Sequence, residues 1–317
     1  MKKAYIVVST TLLLIVVTGC SKLFFSPTHM IQLEVETGNL TESQKQEATI
    51  NIQNRLVSLG ASNVSVVSEN EQVLTLSYRG DFTPEILEAC FSTTGNLEFF
   101  ETCTSRKLIM DYFSEKYPSA TDDEKLTTDE TSVNNEALEF MENINIKKES
   151  YGGIFGHVSE ENKERLKATS IYKTPIFISS IKKRVKFLLG KDYNGMCELY
   201  MVFLTSENEP HLDGKYITSA YYNPSTYNDR YVVDLQMNEE GAVIWEKLTE
   251  KVYNSRGYIA IVIDDIVYSA PSVSVGAIKG GRSQISGSFT KEEAAVLASV
   301  IHTRGIPKVK ILKITEL

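Results

Sequence analysis

The chain has 317 residues, a length that predicts about two domains, and its content of 42% hydrophobic and 23% charged residues is typical of a globular protein. Collagen, a pure coiled coil and wholesale disorder are therefore excluded. The formal net charge of −8 repels nucleic acid and anionic lipid, so we expect no nucleic-acid partner. The apolar run at residues 4–17 is shorter than the ~20 residues of a spanning helix, which excludes a polytopic membrane protein.

The N-terminus has the pattern of a secretory signal peptide. Two lysines precede the apolar run, which ends in small residues before a cysteine. The segment Val17-Thr18-Gly19-Cys20 resembles the bacterial lipobox, in which the cysteine thiol is acylated and the chain is cleaved before it. We predict a signal peptide at residues 1–19, a lipidated tether at residues 20–29, and Cys20 as the lipidation site. The alternative for Cys20 is a buried thiol at the end of an apolar helix.

The remaining cysteines and the histidines show no metal-binding spacing. An odd number of cysteines remains after Cys20, and Cys90 and Cys103 either form a disulfide or stay reduced. The four histidines are isolated from one another and from carboxylates at ligand spacing. We therefore expect no metal site and no cofactor.

Residues 30–102 predict the strand and helix order βαββαβ of a ferredoxin-like unit. Alternating apolar residues indicate strands at residues 31–35, 64–67, 74–78 and 97–100. Thr41 and Gln44 form a capping box at the start of the first helix, and Gly60 is placed to end it. Pro84 opens the second helix at a position where its missing N–H costs nothing.

An acidic segment follows between about residues 118 and 149. It is rich in Ser, Thr, Asn and carboxylates, and it cannot bury enough apolar surface to offset the entropy of ordering. The acidic residues lack the spacing and the glycine of an EF-hand calcium loop. We therefore predict an exposed insertion, in which residues 137–141 could form a helical turn.

The last third of the chain predicts strands and two amphipathic helices. Residues 231–237 alternate as a strand, and Asn238 begins a helix that buries Trp245. Thr290 and Glu293 form a second capping box, with apolar residues following at helical spacing. Residues 309–314 predict a final strand, which is free to join the sheet of the N-terminal unit.

No enzyme signature is present in the sequence. Asp264 and Asp265 lie between two apolar strands, where a pair of carboxylates for acid–base chemistry is one interpretation. A two-residue hairpin turn is the favoured interpretation, because aspartate tolerates the left-handed backbone that such a turn requires. The Gly280-Gly281 pair fits neither a phosphate loop nor a nucleophile elbow and also predicts a turn. We expect a protein that is not an enzyme.

Four segments of the last third resemble the first periplasmic domain of the SecD/SecDF protein-export family. They are Leu212-Asp213-Gly214 with Ile217 and Ala220, Gly257 to Asp264 with Val267, Ser269, Ala270 and Pro271, Ile285 to Thr290, and Gly305-Ile306-Pro307. The resemblance implies an α+β protein with a ferredoxin-like base at residues 30–104 and 306–317. It also implies an inserted α+β head at residues 105–305, which contains the acidic insertion.

The resemblance implies a head that binds unfolded or translocating polypeptide and works with the Sec translocase. The sequence ends at Leu317 without the proton-conducting membrane helices of the family, so we expect a lipid anchor in their place. The expected location is the bacterial cell envelope, with the body in the periplasm or extracytoplasmic space. The alternative function is a structural or interaction lipoprotein whose partner is unrelated to export.

A group of tyrosines lies at the start of the head pattern, within residues 216–231. Tyrosine offers a large, rigid and amphipathic contact surface at low entropic cost, which suits the capture of unfolded chains. We predict that Tyr221, Tyr222 and Tyr227 form the polypeptide-binding surface. Tyr216 and Tyr231 lie in predicted strands, where packing into the core is favoured.

Overall fold

The structure is a computed structural model that describes residues 26–38, 40–70, 72–116, 139–145, 153–303 and 305–317. It is a mixed α and β protein, which confirms the predicted α+β class. Its contacts divide it into two units: the first takes in the chain up to Thr94 together with Gly305–Leu317, and the second is Gly95–Arg304. The predicted signal peptide and Cys20 lie outside the described residues.

In the described part of the first unit, one four-stranded antiparallel sheet packs with two helices. The elements are β1 His29–Val35, α1 Glu42–Leu59, β2 Ser62–Glu69, β3 Val73–Arg79, α2 Pro84–Phe91 and β15 Val309–Glu316. The strand order is β15-β1-β3-β2, and every neighbouring pair is antiparallel. In the register of the sheet, Ile31 faces Leu76 on one side and Ile314 on the other.

The capping residues of the first unit act as their sequence predicts. The Thr41 hydroxyl accepts from the Gln44 backbone N–H and the Gln44 side chain accepts from the Thr41 backbone N–H, which completes the capping box of α1. Gly60 ends α1 with φ of 116°, a left-handed conformation that favours glycine. Pro84 stands at the first turn of α2.

A buried arginine holds the end of the first unit together. Arg55 of α1 is fully buried, and its guanidinium donates to the backbone carbonyls of Cys90 at 3.2 Å, Thr93 at 2.5 Å and Thr94 at 3.2 Å. The Thr94 carbonyl also accepts from the Gly305 N–H at 2.9 Å. The two points at which the chain leaves and re-enters the first unit are thus hydrogen-bonded to each other and to α1.

The strand at Leu97–Glu101, labelled β4, belongs to the second unit and not to the predicted ferredoxin-like base. It was expected to be the fourth strand of the ferredoxin-like unit, but it pairs with β12 (Ile259–Ile263) in the second unit. The reason is its composition: Leu97, Phe99 and Phe100 are buried on both faces, as in an internal strand of a larger sheet. The boundary therefore lies at residue 94 instead of residue 104, and β15 takes the fourth place beside β1.

Over its described residues, the second unit contains two sheets, five named α-helices and one 3-10 helix. Its further elements are α3 Arg106–Lys116, β5 Ile154–Ser159, α4 Glu160–Ala168, α5 Ser170–Lys173, β6 Ile176–Ile178, β7 Lys183–Tyr193, β8 Met196–Phe203, β9 Leu212–Asp213, a 3-10 helix Gly214–Tyr216, β10 Ile217–Pro224, β11 Tyr231–Met237, α6 Glu239–Ser255, β13 Ile266–Ser269, β14 Arg282–Phe289 and α7 Lys291–His302. The larger sheet has the order β5-β8-β7-β13-β12-β4-β9, with β6 beside β7. The smaller sheet has the order β10-β11-β14.

Helices α6 and α7 begin and pack as predicted. The Asn238 side chain accepts from the Gly241 N–H at 2.8 Å and caps α6, whose buried residues include Trp245. A Cβ on Gly241 would lie 2.5 Å from the Tyr216 Cβ, so this helix approaches the preceding turn too closely for a larger residue. Thr290 and Glu293 complete the capping box of α7. The apolar faces of α6 and α7 join a core cluster with β4, β11 and β12.

The acidic insertion is only partly described, and the part that is seen is not fully exposed. Residues 139–142 are helical, which agrees with the predicted turn. Phe140 and Ile144 are buried, and the Phe140 ring centroid lies 4.8 Å from that of Phe187 in β7. The prediction of an exposed insertion is thus wrong for Phe140 and Ile144, whose apolar side chains complete the core of the second unit, whereas Glu139, Glu142 and Asn145 are exposed. Residues 117–138 and 146–152 lie outside the described residues.

The three described cysteines, Cys90, Cys103 and Cys197, are buried. No disulfide joins them among the described residues, so the pairing of Cys90 with Cys103 is absent from this structure. Burial raises the pKa of the Cys103 thiol to about 11, which keeps it protonated and weakly reactive.

Candidate functional site

The predicted tyrosine surface lies on the hairpin formed by β10 and β11. Strand β10 is at the edge of the three-stranded sheet, and it pairs Tyr221 with Asp234 and Tyr222 with Val233. Successive side chains of a strand point to opposite faces, so two adjacent tyrosines cannot both face the same surface. Tyr221 and Tyr222, which the sequence predicts on one surface, therefore lie on opposite faces of the sheet.

Tyr222 is turned toward the core. It is half-buried, it packs against the core cluster of the second unit, and its ring centroid lies 6.3 Å from that of Tyr231. Val233, opposite Tyr222 in the ladder, is fully buried. The sequence predicts Tyr222 on the exposed binding surface, but its side chain lies on the inner face of the sheet. The reason is that side chains alternate between the two faces along β10.

Tyr221 and Tyr227 are both exposed. Tyr221 is 62% exposed on the outer face of β10, where its ring centroid lies 6.3 Å from that of His302 in α7. Tyr227 is 92% exposed in the loop at residues 225–230. Two of the three predicted residues thus present aromatic rings to solvent on one hairpin.

The loop that carries Tyr227 is held by its own hydrogen bonds. The Ser225 N–H donates to the Arg230 carbonyl at 2.7 Å, and the Tyr227 N–H donates to the Ser225 hydroxyl at 3.2 Å. The Asn228 side chain accepts from the Arg230 N–H at 3.1 Å. These contacts restrain the backbone of the loop while leaving the Tyr227 ring free to contact a ligand.

The outer face of the three-stranded sheet is polar around Tyr221. The Asp234 carboxylate accepts from the side-chain amides of Asn223 at 2.6 Å and Gln284 at 2.8 Å. These three residues come from β10, β11 and β14, so the network runs across the whole sheet. The outer face therefore combines the exposed ring of Tyr221 with a hydrogen-bonded carboxylate.

Tyr216 and Tyr231, which the sequence predicts to pack in the core, are both partly buried. Tyr216 lies in the 3-10 helix instead of the predicted strand, and its hydroxyl donates to Glu240 at 3.2 Å. Tyr231 lies in β11 as predicted. Both are partly buried against the core cluster of the second unit.

The Asp264-Asp265 pair forms a turn, as favoured by the sequence analysis. Both residues have positive φ, 49° and 63°, and they connect β12 to the antiparallel β13. The Asp264 carboxylate accepts from the Asn96 backbone N–H at 2.9 Å, and Asp265 forms an ion pair with Lys186 at 2.7 Å. Both carboxylates therefore have structural partners.

An ionic cluster around a buried glutamate of the second unit is not evident from the sequence. The Lys251 ammonium of α6 donates to the buried carboxylate of Glu101 in β4, and the His211 Nε2 lies 3.8 Å from the same carboxylate. Burial, followed by the charge of Lys251, lowers the pKa of His211 to about 4. No local signal could have found this cluster, because Glu101 lies more than a hundred positions before both His211 and Lys251 in the chain.

A second group of polar side chains was also not predicted. Glu160, Asp192 and Cys197 bring one possible ligand atom each to within 4.8 Å of one another. Glu160 already pairs with Lys163 at 3.1 Å, and burial raises the pKa of the Cys197 thiol and disfavours the thiolate that a metal requires. The absence of a metal site remains a prediction.

Comparisons with known proteins bear on the second unit. Residues 198–307 match the family model of the SecDF P1 head subdomain. The protein translocase subunit SecD of Syntrophobacter fumaroxidans is 40% identical over 103 residues, which are 32% of this chain and 19% of the relative. That of Calditerrivibrio nitroreducens is 42% identical over 103 residues, with the same shares. A crystal structure of SecDF in a super-membrane-facing form is similar with a TM-score of 0.49 and 18% identity, over 91% of this chain and 30% of that one.

The chain spans about a fifth of the length of the curated relatives that it matches. The predicted resemblance to the periplasmic domain of the SecD/SecDF family is confirmed, and the match falls on the segment that carries the β10–β11 hairpin. Within the described ranges, no helix is both long and apolar enough to cross a membrane.

Proposed function

We propose that this protein is an envelope lipoprotein whose second unit binds unfolded or translocating polypeptide and thereby assists protein export. The observation that carries the proposal is the exposure of Tyr221 and Tyr227 on one hairpin of the matched head segment. A surface that must accept many sequences gains contact area from aromatic side chains without fixed charge requirements. The partners would be polypeptide chains and subunits of the Sec translocase, and the protein would not act as an enzyme.

The edge position of β10 supports the same proposal. An extended peptide can add to the edge of a sheet through main-chain hydrogen bonds, which do not depend on its side chains. In this arrangement Tyr221 would contact the added chain directly, and Tyr227 at the end of the hairpin would contact the segment that extends beyond it. Sequence tolerance would come from the backbone, and affinity would come from the rings.

The first unit serves, in this proposal, as a ferredoxin-like base. The strand order β15-β1-β3-β2 with two helices in the connections supports this assignment, with β15 supplying the last strand after the inserted head. The base would comprise residues 30–94 and 305–317, and the head would comprise residues 95–304.

The membrane attachment in this proposal is the lipid on Cys20. A cysteine whose thiol carries one lipid group with two acyl chains exceeds the threshold for stable anchoring, at ~0.8 kcal/mol per buried methylene. The body would then lie in the periplasm or extracytoplasmic space, beside the exit of the export channel. A structural role with a partner unrelated to export is the competing function.

The proposal is tested by measuring the binding of a labelled, permanently unfolded and uncharged polypeptide by fluorescence anisotropy. The double variant Tyr221→Ser/Tyr227→Ser should bind about tenfold more weakly, since the truncation of two exposed aromatic contacts removes on the order of 1.4 kcal/mol. The matched control is Tyr193→Ser/Tyr253→Ser, which removes two other exposed tyrosines of the same unit.

Circular dichroism would verify that all variants are folded. Equal affinities in the wild type and the hairpin variant would contradict the assignment of these tyrosines to the binding surface. A wild-type protein that binds no unfolded chain at all would contradict the export function and favour the structural role.

A further inference from the structure

An open cleft in the second unit gathers lysines in a protein whose net charge is negative. The cleft has a volume of about 800 Å³ and lies where β13 pairs in parallel with β7, beside α4 and α5. Its lysines are Lys163, Lys167, Lys173, Lys186 and Lys191. The formal charge of the whole chain is −8, so this local concentration of cations is not a consequence of composition.

The carboxylates of the cleft already have partners within the protein. Asp264 accepts from the Asn96 backbone N–H at 2.9 Å, and Asp192 accepts from a backbone N–H at 3.0 Å. Asp265 pairs with Lys186 at 2.7 Å. The lining holds five lysines and three aspartates, which leaves a formal excess of two positive charges in the cleft.

The lysines are less completely paired. Lys163 and Lys167 each pair with a glutamate three residues earlier, at 3.1 and 3.0 Å, in exposed helix pairs that contribute only about 0.3–0.5 kcal/mol. In the part of the chain that the structure describes, neither Lys173 nor Lys191 forms an ion pair with a carboxylate. Lys173 and Lys191 therefore lack an ion-pair partner among the described residues, although the Glu293 carboxylate acts on Lys191 from beyond ion-pair distance. The pairs of Lys163 and Lys167 can be exchanged for an anionic ligand at small cost.

Lys191 has an ammonium that is partly desolvated and lies beside two aromatic rings. Its ammonium lies 3.9 Å from the ring centroid of Tyr268 and 5.8 Å from that of Phe289. The rings provide cation–π attraction, and burial lowers the pKa of Lys191 because the ammonium has lost part of its hydration. An anion placed beside a partly desolvated cation interacts more strongly than one beside a fully hydrated surface lysine.

We propose that this lysine cleft binds acidic segments of extended polypeptide. The walls favour a peptide over a lipid headgroup, because they combine the lysines with Tyr172, Tyr268 and the exposed side chain of Ile266. A peptide with acidic and apolar side chains can use both kinds of contact. The cleft shares no residue with the tyrosines of the β10–β11 hairpin, so the proposal extends the proposed function and does not depend on those tyrosines.

The test uses the purified full-length protein and two short unstructured peptides of equal length that contain tyrosine and leucine. One carries several glutamates, and the other carries glutamines at the same positions. The double variant Lys173→Gln/Lys191→Gln should bind the acidic peptide about fivefold more weakly, and the affinity should fall less steeply with salt than in the wild type. The matched control Lys247→Gln/Lys279→Gln removes the same charge from exposed sites outside the cleft and should bind as the wild type does.

Three results would overturn the proposal. They are equal affinity for the acidic and the amide peptide, equal loss in the cleft variant and the control variant, and lysine-dependent binding of phosphatidylglycerol vesicles without binding of the acidic peptide. The hairpin variant Tyr221→Ser/Tyr227→Ser separates this proposal from the preceding one. It should retain the preference for the acidic peptide even where its affinity for uncharged chains is lost.

Discussion

His211 gives the second unit a stability that depends on pH. Its folded pKa of about 4 lies below the value of about 6.5 in an unfolded chain, so the unfolded state binds more protons between these limits. The stabilisation from keeping His211 neutral is therefore complete above about pH 6.5 and is lost as the pH falls toward 4. At about pH 5 the expected loss is on the order of 2 kcal/mol.

We predict that His211→Asn, which removes this titration, loses about 2 kcal/mol less of its unfolding free energy than the wild type does between about pH 7 and pH 5. Urea unfolding followed by fluorescence measures this, because the chain has one tryptophan, Trp245, and it packs on Phe99 in the same unit. The matched control His302→Asn replaces an exposed histidine and should follow the wild type. Parallel losses of stability in all three proteins would show that His211 does not cause the pH dependence.

The elements differ in how far the sequence determines them. The capping boxes at Thr41 and Thr290 and the turn at Asp264-Asp265 were predictable, because each depends on residues that lie within a few positions of one another. The partner of β4 was not predictable, because the same apolar alternation fits an edge strand of a small sheet and an internal strand of a large one. Its aromatic pair, Phe99 and Phe100, is buried on both faces and is the one local feature that favours the larger sheet.

In the candidate site, too, features that depend on neighbouring residues were predictable, and features that depend on tertiary pairing were not. The tyrosine-rich segment is evident from the sequence. The face of the sheet on which Tyr222 lies depends on the register between β10 and β11, which the spacing of the tyrosines does not specify. The lysine cleft draws its residues from α4, α5 and β7, and its acidic residues include a turn that lies more than seventy positions away. Only the folded chain brings these charges together.

Strand β15 supplies an edge strand of the first unit's sheet from the far end of the chain. It closes one edge of the four-stranded sheet by pairing along the whole of β1, from His29 with Glu316 to Val35 with Val309. Deletion of residues 308–317 would make β1 an edge strand and expose its backbone groups to water. We predict faster amide hydrogen exchange in β1 and β3 of the truncated protein.

The control for this deletion is Lys310→Ser/Lys313→Ser, which keeps the backbone of β15 and changes two exposed side chains. It should retain the exchange rates of the wild type, because the ladder depends on backbone hydrogen bonds. Unchanged protection of residues 29–35 after the deletion would mean that β15 contributes little to the sheet and would contradict the assignment of β15 to the base.

At the scale of the whole molecule, the proposed function requires that the two units stay at the membrane surface. The proposed means of attachment is the lipobox-like segment that ends at Cys20, which lies outside the described residues. Acylation would hold the protein near membrane-bound export machinery without adding any apolar surface to the folded units. This arrangement would leave the hairpin tyrosines and the lysine cleft available for polypeptide.

We predict that Cys20 is acylated and that Cys20→Ala abolishes both the lipid and the cleavage before residue 20, since the enzymes of lipoprotein maturation act on the cysteine itself. Mass spectrometry of the N-terminal peptide measures both changes, and fractionation of cells measures attachment to the membrane. Ser21→Ala is the matched control, because it alters the neighbouring residue and leaves the thiol in place. A Cys20→Ala protein that is processed and extracted from membranes as the wild type is would refute lipid anchoring, and the proposed position beside the export channel would then lose its physical basis.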